Sequence, residues 1–260
     1  MWGKFMITIK KKYTMVENLM DEGLLLVIDG IDGTGKTTQV NLLYESLKQA
    51  NIDTVISKEP TSGRWGQVIR DSAINGRLPL EEEMEYFIRD RQEHINNLIK
   101  PSLSAGKVVI LDRYYYSTIS YQGARGANVP DVRKKIEGLA IIPDITFILD
   151  CDVSIALDRI RVTRRDIPNE FEKFDYLKEV REVFLFLCKI EPEIIKVNSH
   201  NSIGHVHNYI FDKLVEGPFR KKLCSKNYDS DCFYCVPRMT DTCEWLRAKS
   251  LLNPITQPEN

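Results

Sequence analysis

The chain is predicted to fold as an α/β three-layer sandwich, a parallel five-stranded sheet with helices on both faces, followed by a small cysteine-rich appendage. Three observations predict it. Five short apolar runs alternate with stretches of helical periodicity between residues 24 and 215, and strands separated by helices pair in parallel. The first run, LLLVID at 24–29, is apolar up to its final acid, as a strand buried on both faces must be. A glycine-rich loop follows it and opens a helix.

The elements follow in order. After the loop, TTQVNLLYESLKQA places Val40, Leu42, Leu43 and Leu47 at roughly helical spacing, and residues 53–57 form the second strand. Residues 81–105 read as one long helix with Met84, Phe87, Ile88, Ile95 and Leu98 along one side. Pro101 is expected to kink or break it. The third and fourth strands are 108–112 (VVILD) and 145–150 (ITFILD), and helices follow over 153–161 and 176–189. The last strand is 194–197 and the last helix 203–215. Gly217-Pro218 then punctuates the pattern, and the composition turns basic and irregular. Three regions are therefore expected: a leader at 1–22, the α/β domain at 23–217 and a tail at 218–260.

Composition excludes some partners. Lys and Arg number 36 against 37 Asp and Glu, a formal charge of −1, so no overall positive field draws the chain to nucleic acid or anionic lipid. A small polyanion needs only a local basic pocket. The N-terminus lacks an apolar segment followed by a small-residue cleavage site, and no apolar run approaches a membrane span. The expectation is a cytoplasmic protein. Cys151 and Cys188 lie in apolar or helical contexts and read as buried thiols.

Gly30-Ile31-Asp32-Gly33-Thr34-Gly35-Lys36-Thr37 fits G-x-x-x-x-G-K-[ST], between a buried strand and a helix, the context a P-loop requires. Glycines there let backbone N–H groups converge on phosphate oxygens, and the helix N-terminus adds positive potential. The loop from Gly30 through Thr38 is the candidate ATP site. Lys36 would reach the β- and γ-phosphates and the Thr37 hydroxyl would ligate Mg²⁺. No N-K-x-D segment follows a later strand, which speaks against a GTPase. Leu111-Asp112-Arg113-Tyr114 ends the third strand; an acid there can hold Mg²⁺ through water, and the arginine can bind an anionic acceptor.

DGIDGTGKTTQ, KEPTSGRWGQVIR, FIRDRQEH, GKVVILDRYYYSTISYQG and FEKFDYLKEVREVFLFL occur in the order and spacing of the thymidylate kinase family. The resemblance covers roughly residues 24–216 and implies a P-loop NTPase fold, ATP and Mg²⁺ as donor and cofactor, and direct phosphoryl transfer to dTMP. Another pyrimidine monophosphate (UMP, CMP or dUMP) is the alternative acceptor, and a homodimer is the implied assembly. By the same resemblance Asp32 lies near the phosphates during transfer, Glu59 and Pro60 border the acceptor, and Phe87 stacks on its base. Arg91 reads the base edge, Arg113 with Tyr114 holds the acceptor phosphate, Tyr121 sits against the deoxyribose, and Thr118 and Gln122 complete the base pocket. Members of this family put a catalytic arginine in the P-loop or in a lid after the fourth strand. Positions 31–34 carry no basic residue, whereas Arg159, Arg161, Arg164 and Arg165 cluster at the expected lid, 159–172. The finger is Arg161, Arg164 or Arg165. Three places depart from the family pattern: Asp29 stands where many relatives have glutamate, Lys58 replaces the more usual arginine, and Thr61-Ser62-Gly63 a double glycine.

The tail lies outside the resemblance. Cys224, Cys232, Cys235 and Cys243 are separated by seven, two and seven residues. Four thiolates with a C-x-x-C pair can hold one tetrahedral ion, so structural Zn²⁺ is expected, with an iron–sulfur cluster as the alternative. Arg220, Lys221, Lys222 and Lys226 interleave with aromatics there. They permit nucleic-acid contact by an ATP-responsive regulator, but a solvated basic edge is the favoured reading.

Overall fold

In the computed structural model the described residues are 23–164 and 173–219. Five strands, β1 (Leu24–Asp29), β2 (Thr54–Lys58), β3 (Val108–Asp112), β4 (Ile145–Asp150) and β5 (Ile194–Asn198), form one parallel sheet in the order β2-β3-β1-β4-β5. The helices are α1 (Lys36–Gln49), α2 (Arg64–Asn75), α3 (Leu80–His94), α4 (Lys100–Ser104), α5 (Tyr115–Gly123), α6 (Val129–Glu137), α7 (Val153–Arg164), α8 (Phe174–Ile190) and α9 (Ile203–Leu214). Every strand predicted from the sequence is present; β2 is shifted by one residue. None of the described helices is long and apolar enough to cross a membrane.

The alternation of β1 explains the layers. Leu24, Leu26 and Ile28 pack with Val40, Leu43 and Leu47 of α1 and with Ile210 and Leu214 of α9. Leu25 and Val27 point the other way, onto Ile95, Ile99 and Tyr114. A third cluster joins Ile148 of β4 to Tyr116 and Ile119 of α5, Leu157 of α7 and Val180 and Phe184 of α8. Period-two side chains thus bury both faces.

The long helix is interrupted, but not where proline was expected to do it. Residues Ile95–Ile99 form a π-helical turn, and Pro101 then sits in the first turn of α4, where its missing N–H costs little. Helices α2, α5 and α6 were not anticipated. Beyond α9 a second π-helical turn, Val215–Phe219, runs through Gly217 and Pro218. Phe219 is 5% exposed and joins the α1/α9 cluster, so the packed core extends past the expected punctuation. Residues 1–22, Arg165 with the rest of 165–172, and Cys224, Cys232, Cys235 and Cys243 lie outside the described residues.

Phe219→Ala is expected to lower the unfolding free energy by about 3 kcal/mol, the scale of a buried Phe truncation. Chemical denaturation measures it, and an unchanged midpoint would place Phe219 outside the cooperative core.

Candidate active site

β1 and β3 pair from Leu24↔Val108 to Ile28↔Asp112, so the segments leaving them share one crevice at the carboxyl edge of the sheet. After β1 the chain turns through Gly30 and Gly33, with φ of 134° and 81°. A Cβ on Gly33 would come within 2.1 Å of the Ala156 carbonyl oxygen, so only glycine lets this loop close against α7. Thr34 Oγ1 and Lys36 Nζ donate to the Ile31 carbonyl at 2.9 and 2.8 Å. Gly35 precedes α1, and Thr37 and Thr38 are exposed at its start. The Thr37 hydroxyl donates to the Asp112 carboxylate, which brings the two expected Mg²⁺ residues together. Both supply the hard oxygen donors that Mg²⁺ takes.

Arg113 adopts φ 71°, a left-handed conformation unusual for a side chain of this size, and its N–H donates to the Ile28 carbonyl at 3.0 Å. The guanidinium lies beside the P-loop. Nη1 donates to the Gly30 carbonyl (3.0 Å) and Ser117 Oγ (2.8 Å), and Nη2 to Asp32 Oδ1 (2.7 Å) and the Tyr121 hydroxyl (3.3 Å). Tyr121 in turn donates to Asp32 Oδ2 at 2.9 Å. Behind them Asp29 is fully buried and accepts from the N–H groups of Gly30, Tyr114 and Ser117 and from Ser117 Oγ.

These contacts set the protonation states. Burial opposes ionisation of Asp32, but Arg113, Lys36 and the Tyr121 hydroxyl outweigh it and hold the carboxyl well below the usual range. Burial raises Asp29, with Arg113 and its hydrogen bonds only partly offsetting it. Burial and then Arg113 push the Lys36 ammonium down to about 8, against the pull of Asp32, Asp112 and Asp29.

α3 forms the opposite wall. Arg91 donates from Nε (2.9 Å) and Nη2 (2.7 Å) to Glu59 Oε2 and from Nη2 to Thr118 Oγ1 (2.9 Å). Its guanidinium lies 5.3 Å from the centre of the Tyr114 ring. Asp90 accepts from Thr61 N (2.8 Å) and Oγ1 (2.6 Å), and Arg70 Nη1 donates to the Pro60 carbonyl (3.0 Å). Phe87 is half-buried one turn before Arg91. Arg91 Nη1 and both amide atoms of Gln122 are buried with no hydrogen-bond partner among the described residues.

The expected residues therefore do not all stand in the same relation to the crevice. Asp32, Lys36, Thr37, Asp112, Arg113 and Tyr121 converge on the P-loop. Tyr114 is fully buried beneath Arg91, and its hydroxyl accepts from Ile141 N at 3.2 Å, so that hydroxyl is already engaged within the protein. Glu59, 5% exposed, is spent on Arg91 and His94, and Lys58 is exposed at the end of edge strand β2. Arg161 is exposed on α7 and pairs with Asp158 at 3.3 Å; Arg164 ends that helix. Asp29, Asp90, Ser117 and His94 were missed as site residues. Asp90 and His94 could have been found, because FIRDRQEH sets them one before and three after Arg91 on one helix. Among the described residues no group of three or more His, Cys, Asp or Glu could hold a metal ion.

The thymidylate kinase family model matches residues 28–210. The chain belongs to the thymidylate kinase family. Similar members include the thymidylate kinase of Akkermansia muciniphila, 46% identical over 163 residues that span 63% of this chain and 78% of that one. The Xanthomonas euvesicatoria thymidylate kinase is 46% identical over 173 residues, 66% of this chain and 76% of that one. Among solved structures, the Ehrlichia chaffeensis thymidylate kinase superposes with a TM-score of 0.61 at 29% identity, covering 74% of this chain and 99% of that chain. The matched span of this thymidylate kinase family member contains every crevice residue described above.

Phosphate placed beside Lys36 restores the ammonium form that burial disfavours. Nucleotide binding is therefore expected to take up protons above about pH 8 and almost none at neutral pH, given a free-state value of about 8. Titration calorimetry in buffers of different ionisation enthalpy reads the uptake; identical apparent enthalpies on the alkaline side would refute it.

Proposed function

We infer that the protein is an ATP-dependent dTMP kinase, transferring the γ-phosphoryl group of ATP to the 5′-phosphate of dTMP and releasing dTDP and ADP. The acceptor reading is carried by Arg91 Nη1, Gln122 Nε2 and Gln122 Oε1, buried polar atoms without a hydrogen-bond partner among the described residues. Buried donors and acceptors of this kind are costly unless a ligand completes them. Gln122 stands one helical turn from Thr118, which itself holds Arg91. Two donors and one acceptor complement the carbonyls and the N3–H of thymine. Cytosine would turn an amino group toward a guanidinium, donor against donor. Uracil shares the thymine edge, so dUMP and UMP are the second reading, and the half-buried Phe87 ring covers either pyrimidine.

An oxygen of the acceptor phosphate attacks the γ-phosphorus in line, and the bond from that phosphorus to the β–γ bridging oxygen breaks. Little covalent chemistry is asked of the protein; positive charge around the moving group is. Lys36 and the P-loop N–H groups hold the donor phosphates, and Arg113 holds the acceptor phosphate. Asp32 and Tyr121 keep the Arg113 guanidinium beside the loop. Thr37 and Asp112 would hold Mg²⁺, which neutralises phosphate charge when bound. A lid arginine, Arg161, Arg164 or Arg165, completes the positive surround.

Turnover with dTMP, dUMP, UMP, CMP and dCMP in a coupled ADP assay tests the reading. The expected kcat/KM is highest for dTMP and at least about 100-fold lower for dCMP, the scale of a donor–donor mismatch; turnover of none of them would sink the kinase. Arg113→Ala should raise the acceptor KM, whereas loss of the true lid finger should chiefly lower kcat. Negligible effects at all three lid arginines would remove them from the mechanism.

For the tail, the spacing of Cys224, Cys232, Cys235 and Cys243 supports a structural Zn²⁺ bound by four thiolates. Elemental analysis should find about one zinc per chain and no visible absorbance. An iron content with visible bands would replace zinc by an iron–sulfur cluster, and metal-free protein would refute both.

A further inference from the structure

α3 turns a polar side chain inward that the reaction above does not use. His94 is 5% exposed. Its Nδ1 lies 3.0 Å from Glu59 Oε1 and its Nε2 2.8 Å from Ser57 Oγ. A carboxylate only accepts, so Nδ1 carries a proton, and in the neutral ring the Ser57 hydroxyl donates to Nε2.

The two Glu59 oxygens are thereby divided. Oε2 receives Nε and Nη2 of Arg91, and Oε1 receives His94. A carboxylate held at one oxygen alone can rotate about its terminal bond, a soft torsion. Held at both, it fixes its plane and the guanidinium fork that meets it. Nη2 is also engaged by Thr118, so Nη1 is the guanidinium nitrogen left without a hydrogen-bond partner among the described residues. Residues 57 and 59 share one face of the β2 extension, and residues 91 and 94 share one face of α3, so the four side chains interlock between two rigid elements.

We propose that His94 is a positioning residue for acceptor selection: through Glu59 it holds the Arg91 guanidinium with Nη1 directed at the acceptor base. The identity of that base rests on the dTMP kinase reading. His94 touches no substrate in this arrangement; it acts on orientation. A loosened Arg91 still carries its charge but no longer offers one fixed donor, so binding weakens and the 4-carbonyl is less well separated from a 4-amino group.

The test uses the full-length protein with saturating ATP and either dTMP or dCMP, with thermal unfolding as a fold check. His94→Ala should raise the dTMP KM about tenfold while kcat stays within about threefold, the scale of one charge-assisted hydrogen bond lost from ground-state binding. The dTMP-to-dCMP ratio of kcat/KM should fall by about tenfold as well. His94→Asn, whose amide nitrogen can reach the Nδ1 position, should recover most of both. Ser57→Ala should shift both quantities the same way by about threefold, and it decides the matter if His94→Ala does not fold. An unchanged ratio in a folded variant, equal losses for both acceptors, or failure of His94→Asn to outperform His94→Ala would each overturn the proposal. If the wild-type protein prefers another monophosphate, the function reading fails separately, and the same comparison is made with the preferred acceptor and its 4-amino or 4-carbonyl counterpart.

Discussion

The Asp29 carboxylate, buried at the end of the central strand, accepts four hydrogen bonds from two separate stretches of chain. One comes from Gly30, the first P-loop residue; the others come from Tyr114 and Ser117, where α5 begins. Paired strands alone would bring β1 and β3 together but would not fix the loops that leave them. The shared carboxylate does, and it sits where the first turn of α5 presents unpaired N–H groups. Burial raises its pKa, so the hydrogen bonds and Arg113 are what favour its charge. The short aspartate side chain reaches the adjacent Gly30 N–H at 2.8 Å.

The charged groups on the P-loop side of the crevice are arranged around that anchor. Arg113 can hold its left-handed backbone because Ile28, Gly30, Asp32, Ser117 and Tyr121 all take hydrogen bonds from it. Two arms of one guanidinium thus tie the P-loop to the helix that carries Thr118, Tyr121 and Gln122. The cost of assembling these groups away from water falls unequally. Against burial, Arg113 holds the Asp32 carboxyl well below its usual range, while burial draws the Lys36 ammonium down to about 8, so a phosphate arriving beside Lys36 favours its charged form.

The opposite wall is built on a different plan, with neutral and charged side chains of α3 gripping the chain after β2. Asp90 takes Thr61, Arg91 takes Glu59, and His94 takes Glu59 and Ser57. The segment that follows an exposed edge strand has few backbone partners of its own, and these contacts supply them. On the proposed function, a wall held in this way lets a base be read by hydrogen bonds rather than by shape alone.

Local physics written along the chain settled the sheet, the P-loop and the family. Five apolar runs of strand length, a glycine pattern with a single chemical purpose, and segments such as VVILDRYYYSTISYQG were legible without any contact map. The short helices α2, α5 and α6 were not: α2 and α6 carry apolar residues at helical spacing, Trp65, Val68 and Ile69 in one and Val129, Val132 and Ile136 in the other, but over short segments, and α5 opens on tyrosines and β-branched residues whose helicity comes from packing. Tertiary structure alone decided what each polar residue of a recognised motif does. Tyr114 stands in the same motif as Arg113, and Glu59 beside Lys58 and Pro60 in another, yet one lies beneath a guanidinium and the other is consumed by two partners. Likewise Asp29 and His94 look like a strand-terminal acid and a helix-end histidine until residues 88 and 35 positions away are brought beside them. The sequence determined the five strands, the P-loop and the chemistry they carry; which side chains face the ligand and which hold those that do depended on burial and on long-range partners, and neither is a property of a local stretch of chain.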